Sequence, residues 1–338
     1  MSRFLLRRLG GSLLVLLGLS IITFLLARVV PSNAAAVYIG PKAHPADIER
    51  VTRLLGLDQP LPVQYLTYMR QLLLGDWGTS IGTKRPVLDE ILDRLPATLE
   101  LIAAAMLIAI PVGIALGIFS ARFRGRPPDA GVRILTLVGV SLPAFFLGLI
   151  LQVLFFRTLD VLPLAGRVDS DLRFTAPITP VTGFLTVDSA LGLNGVAFVD
   201  VMWHLVLPAL TLALYPIGLI ARMTRGSMLE TLGRDHIRTA RAYGIGEGRI
   251  LNRLALRNAL LPVLTVIGLV LAYSLTGTFF VEVVFNWPGL GTFAVKSILN
   301  VDYPAIMGIT LFGAAFYVLV NLVVDLLQAW LDPRIRLA

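Results

Sequence analysis

The sequence predicts an all-α integral membrane protein with six transmembrane helices. Of its 338 residues, 56% are hydrophobic and only 15% are charged, and the mean hydropathy is +0.81. About a quarter of the residues of a typical soluble domain are charged. The apolar residues also collect in runs of about 20, the length that crosses a bilayer. Runs this long and without polar alternation are helices, because a backbone in lipid has no water to hydrogen-bond with. The six runs lie at about 9–30, 98–119, 133–156, 203–221, 263–284 and 305–327.

The first run predicts an uncleaved transmembrane anchor rather than a secretory signal peptide. Its basic start at Arg3, Arg7 and Arg8 is common to both, and the small residues at 34–36 resemble a cleavage site. However, the run is longer than the apolar core of a secretory signal, which spans about 7–15 residues. We therefore expect residues 1–30 to form the first transmembrane helix.

The distribution of basic residues predicts that both termini lie in the cytoplasm. With the N-terminus inside, the inside segments carry 17 of the 29 Lys and Arg residues, although the outside segments are much longer. An excess of Lys and Arg in cytoplasmic loops is the usual orientation signal. The net charge of +8 is then mostly cytoplasmic, which topology and attraction to anionic lipid explain. Apolar residues interrupt the arginines at helical spacing, which argues against nucleic acid as a partner.

Between the apolar runs lie two external segments that are too patterned to be linkers. Residues 31–96 are predicted to form an external helical region, with helices at about 46–55, 61–74 and 87–95 and with Gly56 and Gly75 where the first two end. This region either closes the outer mouth or offers a docking surface to an external partner. Residues 97–338 form a five-helix core, which includes an external loop at 157–202 and a cytoplasmic loop at 222–262. The apolar content of the external loop predicts a folded lid.

Four prolines inside the runs predict bent helices. Each proline removes a backbone hydrogen bond, and membrane helices tolerate this where neighbours or a cavity satisfy the freed group. Bent helices around a pathway and simple helix packing both account for the pattern. The four are Pro111, Pro143, Pro208 and Pro216. Charge inside the runs is scarce, and the clearest case, Asp325, predicts an ion pair with Arg334 or Arg336 rather than a functional acid.

The residues do not predict a metal, nucleotide or disulfide site. Without cysteine there is no disulfide framework and no thiol metal site, and the three histidines lie far apart in sequence. The nearest glycine–lysine stretch, at 78–85, lacks the spacing of a phosphate loop and the Ser or Thr after the lysine. We therefore expect no cofactor in this chain.

The most informative stretch is the basic segment 234–261, which lies between two apolar runs. Residues 234–243 are predicted to form a short helix that ends at Gly244 and Gly246, because glycine tolerates the left-handed conformation of a helix end. Glu247 falls in the first turn of the next helix, where its charge suits the helix dipole. A short helix held by two spans would pass force to both. The small residues Ala240 and Ala242 are expected to let it fit closely into a partner's groove.

This segment resembles the cytoplasmic signature of ABC-importer permeases, which reads Glu-Ala-Ala, three residues, Gly, nine residues and Ile-x-Leu-Pro. Counting from Gly244, residues 238–240 fall on Glu-Ala-Ala and residues 254–257 fall on Ile-x-Leu-Pro. Arg238 replaces the glutamate and Arg257 replaces the proline, with a proline only at Pro262. The chain is similar to the dipeptide, oligopeptide and nickel branch at residues 54–60, 75–80, 222–228, 285–291, 302–304 and 332–336, and its residues 162–168 resemble the dipeptide version.

The resemblance implies a type I ABC-importer permease fold in a bacterial or archaeal inner membrane. It implies three kinds of partner: a second homologous permease, two ATPase subunits that bind ATP and Mg, and an external solute-binding protein. It also implies that this subunit is not an enzyme. The expected ATPase-coupling residues are Arg238, Thr239, Ala240, Arg241, Ala242, Gly244, Glu247 and Arg257.

Two other classes of membrane protein are weighed against this interpretation. An ion-coupled secondary transporter predicts inverted repeats with broken helices in matched halves, and no such repeat is visible in the sequence. A membrane enzyme predicts clustered polar residues at one depth, and Asp325 alone is not a cluster. Within the permease interpretation, di- and oligopeptides are the expected solutes, with nickel, glutathione or another small solute as the alternative.

Overall fold

The computed structural model describes residues 2–29, 44–54, 56 and 58–331, and these residues form an all-helical protein. The predicted fold class is thereby confirmed. Within the described residues, extended pairing is limited to one isolated bridge between Thr79 and Pro86. The α-helices are α1 (Ser2–Val29), α2 (Pro45–Leu54), α3 (Leu61–Leu73), α4 (Val87–Arg122), α5 (Pro127–Ser141), α6 (Ala144–Gln152), α7 (Leu172–Thr175), α8 (Leu185–Leu191), α9 (Gly195–Leu232), α10 (Asp235–Ala242), α11 (Glu247–Arg249), α12 (Leu256–Val284), α13 (Leu290–Leu299) and α14 (Tyr303–Leu331). Two π-helical segments, Val153–Thr158 and Ile250–Ala255, extend α6 and join α11 to α12.

Each of the six apolar runs falls on a helix or a helix pair. Among the described residues, five helical stretches are long and apolar enough to span a membrane, namely Gly10–Arg28, Val87–Arg122, Gly195–Leu232, Glu247–Val284 and Tyr303–Leu326. The remaining run falls on the pair α5–α6, which reaches this length only as a broken span. The described residues therefore contain five such helices, and they match the predicted six spans when the bent pair counts as one span. The predicted ion pair of Asp325 with Arg334 or Arg336 involves residues outside the described part of the chain.

The third run is not the single helix that the sequence predicted. Helix α5 ends at Ser141, α6 begins at Ala144, and the two are bent by 107°. Pro143 has no amide hydrogen to donate, and its ring pushes the preceding residue out of the helical region. Leu142 accordingly has the extended angles φ −83° and ψ 134°. By contrast, Pro208 and Pro216 lie inside the continuous helix α9.

The described chain packs as two compact units, of which the first contains residues 1–96 and 289–318. In this unit α3 packs on α1, where the ring of Phe24 lies 5.4 Å from that of Tyr65 and 5.9 Å from that of Tyr68. Helices predicted at 46–55 and 61–74 are present as α2 and α3, and Gly56 and Gly75 have the positive φ values of 61° and 88°. The expected third helix is not separate, because it forms the first turns of α4.

The glycine–lysine stretch at 78–85 also belongs to the first unit, where it wraps around an acidic side chain. The carboxylate of Asp302 accepts hydrogen bonds from the Ser80 hydroxyl at 2.5 Å and from the Gly82 amide at 3.0 Å. Asp302 is buried. The donors that a phosphate loop would offer to a nucleotide are therefore bonded to a carboxylate of the same chain.

The second unit contains residues 97–288 and the described residues from 319 onward, and α9 is its central helix. Helix α9 packs on α5, α6, α8 and α12. Small residues permit close approach between membrane helices, and Gly218 of α9 shows how close the approach is. A Cβ atom on Gly218 would lie 2.5 Å from Val140 Cγ2 and 2.8 Å from the Thr136 carbonyl oxygen of α5. The second unit carries the basic segment and the long external loop.

Candidate functional site

The predicted short helix of the basic segment is present as α10. Its bounds, Asp235–Ala242, lie one residue inside the predicted 234–243 at each end. Gly244 has φ +73°, as expected for a glycine that ends a helix. The Gly244 amide donates to the Arg241 carbonyl at 2.9 Å, and the Ile245 amide donates to the Ala240 carbonyl at 3.1 Å. These two bonds satisfy the last carbonyl groups of the helix in a Schellman motif, so the chain reverses sharply after α10.

One face of α10 is buried against its own chain. Ile237 is 0% exposed and Ala240 is 7% exposed. Residues three apart lie on the same side of a helix, so both side chains enter one apolar cluster. The members of this cluster, which we call the hinge core, are Ala121, Met228, Ile237, Ala240, Ile250, Leu251, Ala255 and Ala259. The expectation that Ala240 fits into a partner's groove is therefore wrong, since its methyl group packs inside this subunit.

The opposite face of α10 is exposed and basic. Arg238, Thr239, Arg241 and Ala242 are all exposed. Arg238 pairs with Asp235 at 3.2 Å within the helix. Exposed pairs of this kind contribute little to stability. The face combines two guanidinium groups with one small residue, Ala242, which leaves room for close contact.

Glu247 holds the turn after α10 by pairing with Arg241. The distance from Arg241 Nε to Glu247 Oε1 is 2.6 Å, and this hydrogen bond raises the pKa of Arg241. Glu247 occupies the first turn of α11, as predicted. Arg257 lies apart from this pair, exposed near the start of α12. Its neighbour Asn258 comes within 3.5 Å of His236, which places the start of α12 alongside α10.

The hinge core joins α10 to the membrane helices of its unit. It contains Ala121 from α4, Met228 from α9 and Ala259 from α12, together with residues of the π-helical segment. Protein interiors are close-packed and transmit displacements. Helix α10 is therefore packed against three helices of the second unit, whereas the sequence predicted a link only to its two neighbours in the chain.

A second polar cluster, which the sequence did not indicate, fastens the long external loop. We call it the outer clamp, and it consists of Glu100, Arg167, Thr186 and Trp287. Arg167 pairs with Glu100; 11% of the Arg167 side chain is exposed, and the Glu100 side chain is buried, with 3% exposed. Glu100 also accepts hydrogen bonds from the Thr186 amide at 2.8 Å and from the Thr186 hydroxyl at 2.7 Å. The Arg167 guanidinium carbon lies 5.5 Å from the Trp287 ring.

Further bonds tie the first part of the loop to the end of α12. The Gln152 side chain donates to the Leu164 carbonyl at 2.9 Å and to the Val284 carbonyl at 3.1 Å. The Gly166 amide donates to the Phe285 carbonyl at 2.8 Å. The loop is therefore folded, in agreement with its apolar content. Segments 162–168 and 285–291 both carry the resemblance to the permease family. They are far apart in sequence, and they meet here.

An uncharged groove of about 510 Å³ lies beside the break between α5 and α6. Helices α9 and α12 form its other walls. Its lining includes the hydroxyl-bearing residues Ser141, Thr211, Tyr215, Tyr273, Ser274 and Thr276 among apolar side chains. None of its lining residues carries a charge, so any hydrogen bonds that the groove offers come from neutral groups. Among the described residues, no three His, Cys, Asp or Glu side chains lie close enough together to hold a metal ion.

A helical membrane protein with several apolar spans and a short basic-faced helix between two of them has the organisation of a transport subunit. The comparison of its sequence with known families agrees. The chain belongs to the family of binding-protein-dependent transport system inner membrane components, whose model matches residues 113–337. The model of the N-terminal region of such membrane components matches residues 1–102.

The chain is also similar to individual permeases over nearly its whole length. It is 48% identical over 329 residues to the probable D,D-dipeptide transport system permease protein DdpB of Escherichia coli K12, covering 97% of this chain and 96% of that protein. It is 42% identical over 341 residues to the di/tripeptide transport system permease protein DppB of Pseudomonas aeruginosa UCBPP-PA14, covering 99% of each. Identity to the dipeptide transport system permease protein DppB of E. coli K12 is 40% over 337 residues, again covering 99% of each.

Proposed function

We propose that this chain forms part of the transmembrane pathway of an ATP-driven importer of dipeptides and short oligopeptides. Membership of the family supports the transport role. The names of the similar permeases support peptides as solutes over nickel or glutathione. The uncharged groove suits this solute class. Its hydroxyl groups can bond to peptide N–H and C=O groups without the strong charge pairing that would trap a zwitterion. Transit requires binding weak enough for the solute to leave.

ATP hydrolysis is assigned to two partner ATPases, which bind ATP and Mg. The observation that carries this coupling role is the division of α10 into two faces. Ile237 and Ala240 hold the helix on the hinge core, while Arg238 and Ala242 remain exposed for a partner. An ATPase groove that grips the exposed face would move α10, and the hinge core would pass that movement to α4, α9 and α12.

The proposed assembly contains a second homologous permease and an external solute-binding protein. In the proposed orientation α10 faces the cytoplasm, while α3 and the outer clamp face outward. Cysteine labelling tests this orientation, because the chain has no natural cysteine. S170C and D76C should react with an impermeant reagent from outside, and G246C should not. All three positions are exposed, so burial does not complicate the result. Reversed accessibility would refute the orientation.

The coupling role is tested by bulk on the exposed face of α10. A242W should leave insertion normal, but it should abolish peptide uptake and peptide-stimulated ATP hydrolysis by the reconstituted complex. The control is A190W, which places the same bulk on an exposed alanine of α8. A190W should transport normally. Wild-type transport by A242W would show that the segment is only a topological signal.

A further inference from the structure

A basic groove of about 650 Å³ lies between α5 and α9, toward the end of α9 that leads into α10. Its walls come mainly from these two helices, with Ser120 of α4 at one edge. The lining residues are Ser120, Ala130, Val132, Arg133, Ile134, Thr136, Leu137, Ala221, Arg222, Arg225 and Gly226. The residues from α9 fall within the segment 222–228 or directly before it, and neither the coupling role nor the uncharged groove uses Arg222, Arg225 or Gly226.

Only one of the three arginines in this groove is neutralised by the chain. Arg225 pairs with Asp129 through two contacts of 2.8 Å. Asp129 is buried and is held further by the Ser120 hydroxyl at 2.5 Å. Arg133 and Arg222 are exposed, and no ion pair of the described residues includes either of them. The groove therefore carries two positive charges that no acidic side chain of the described residues pairs with.

The wall beside these charges is apolar and exposed. Ile134 is 64% exposed and Leu137 is 57% exposed, and Leu137 lies about one helical turn beyond Arg133 along α5. A small anion would satisfy the arginines but would leave these side chains uncovered. A ligand with a phosphate group and a hydrocarbon chain matches both parts of the groove.

We propose that this groove binds an anionic phospholipid. The phosphate lies between Arg133 and Arg222, and an acyl chain follows Ile134 and Leu137. Basic pockets between membrane helices are known to accept anionic head groups. The inference does not depend on which solute the protein transports.

The charge requirement is tested with the full-length protein in detergent, by measuring lipid binding with native mass spectrometry. Dioleoyl phosphatidylglycerol should bind more tightly than dioleoyl phosphatidylcholine. The double variant R133Q/R222Q should lose that preference, by about 5-fold for each arginine and so about 25-fold in total. The control R124Q/R126Q removes two exposed arginines from the nearby turn that do not line the groove. An equal loss of the lipid preference in the control would show only general attraction between basic residues and anionic lipid, and it would overturn the proposal.

The shape requirement is tested without changing any charge. Gly226 lines the groove, and a Cβ atom there would meet no atom within 4 Å. G226L should therefore fold, fill the groove and weaken phosphatidylglycerol binding at least 10-fold. Gly131 of α5 has the same open surroundings but does not line the groove, so G131L should bind lipid normally. Unchanged binding by G226L would overturn the proposal.

Two further measurements separate a lipid from other occupants. Inorganic phosphate at millimolar concentration should not displace phosphatidylglycerol, and displacement would indicate a site for free anions. A photo-crosslinking residue at position 226, introduced into cells, should become attached to phospholipid. Crosslinking to another protein subunit instead would show that the groove is a protein interface and would contradict the assignment.

Discussion

Replacing Arg167 with methionine should release the external loop. The variant R167M leaves the carboxylate of Glu100 buried, with only 3% of its side chain exposed and without its cationic partner. Removing one member of a buried ion pair costs about 3–5 kcal/mol. Loss of the contact with Trp287 adds about 0.5–2 kcal/mol. The loop has few other buried charges to hold it, so we expect this cost to appear as local opening rather than as global unfolding.

Hydrogen exchange in the full-length protein measures that opening. The amide of Thr186 donates to Glu100, so its exchange reports directly on the clamp. At about 1.4 kcal/mol for each factor of ten, a loss of about 3 kcal/mol should accelerate its exchange by about 100-fold or more. The control R157M removes an exposed arginine at the start of the same loop and should leave the exchange unchanged.

A second substitution tests whether the opening in R167M comes from the unpaired charge of Glu100. Glu100→Gln removes the buried charge but keeps an oxygen that can accept from Thr186. The double variant R167M/E100Q should therefore exchange more slowly than R167M alone, because it no longer leaves a charge buried without a partner. The reasoning is refuted if R167M exchanges no faster than R157M, or if adding E100Q accelerates exchange further.

Three further outcomes are expected. Gly244→Val forces a β-branched residue to φ +73°, so it should lower thermal stability in reconstituted vesicles and abolish uptake, while Gly248→Val should do neither. Gly218→Val should prevent α5 from packing on α9 and lower the yield of folded protein, because Val140 lies within 2.5 Å of the new Cβ. Burial alone would raise the pKa of Asp188, but hydrogen bonds from Thr182 and nearby amides outweigh it and lower the pKa. Protection of the Thr182 amide should then be complete above about pH 4 and be lost as the pH falls through the lowered pKa. D188A, which removes the accepting oxygens, should lack that protection at neutral pH, and acid-stable protection in the wild type would contradict the account.

The membrane helices and the short helix α10 were predictable because they rest on local patterns. A long apolar run in lipid forms a helix, because its backbone groups must hydrogen-bond to each other. Gly244 marks a helix end because glycine tolerates the left-handed conformation that this end requires. The break in the third span was harder to predict, because the same residue type behaves differently elsewhere. Pro208 and Pro216 are buried within α9, where packed neighbours keep the helix continuous, whereas Pro143 is exposed at the break.

The sequence pattern indicated that one face of α10 is apolar, but Ala240 on that face was assigned to contact with a partner. The size of Ala240 suggested contact with a partner, while its position three residues after Ile237 indicated a shared apolar face. The outer clamp had no such local signal. Glu100 and Arg167 are separated by 67 residues, and the chain must fold before one neutralises the other. A consequence is that Ala240→Trp would overpack the hinge core, so it would test stability rather than coupling.

The most direct test of the coupling role is a crosslink between α10 and an ATPase subunit. The variant A242C places one thiol on the exposed face of α10 in a chain that has no other cysteine. A short bifunctional reagent should join it to an ATPase of the assembled transporter, and the yield should change when ATP and Mg are added. The matched variant A190C, on the exposed surface of α8, should form no such product. Equal crosslinking from both positions, or none from A242C in an active complex, would contradict the account.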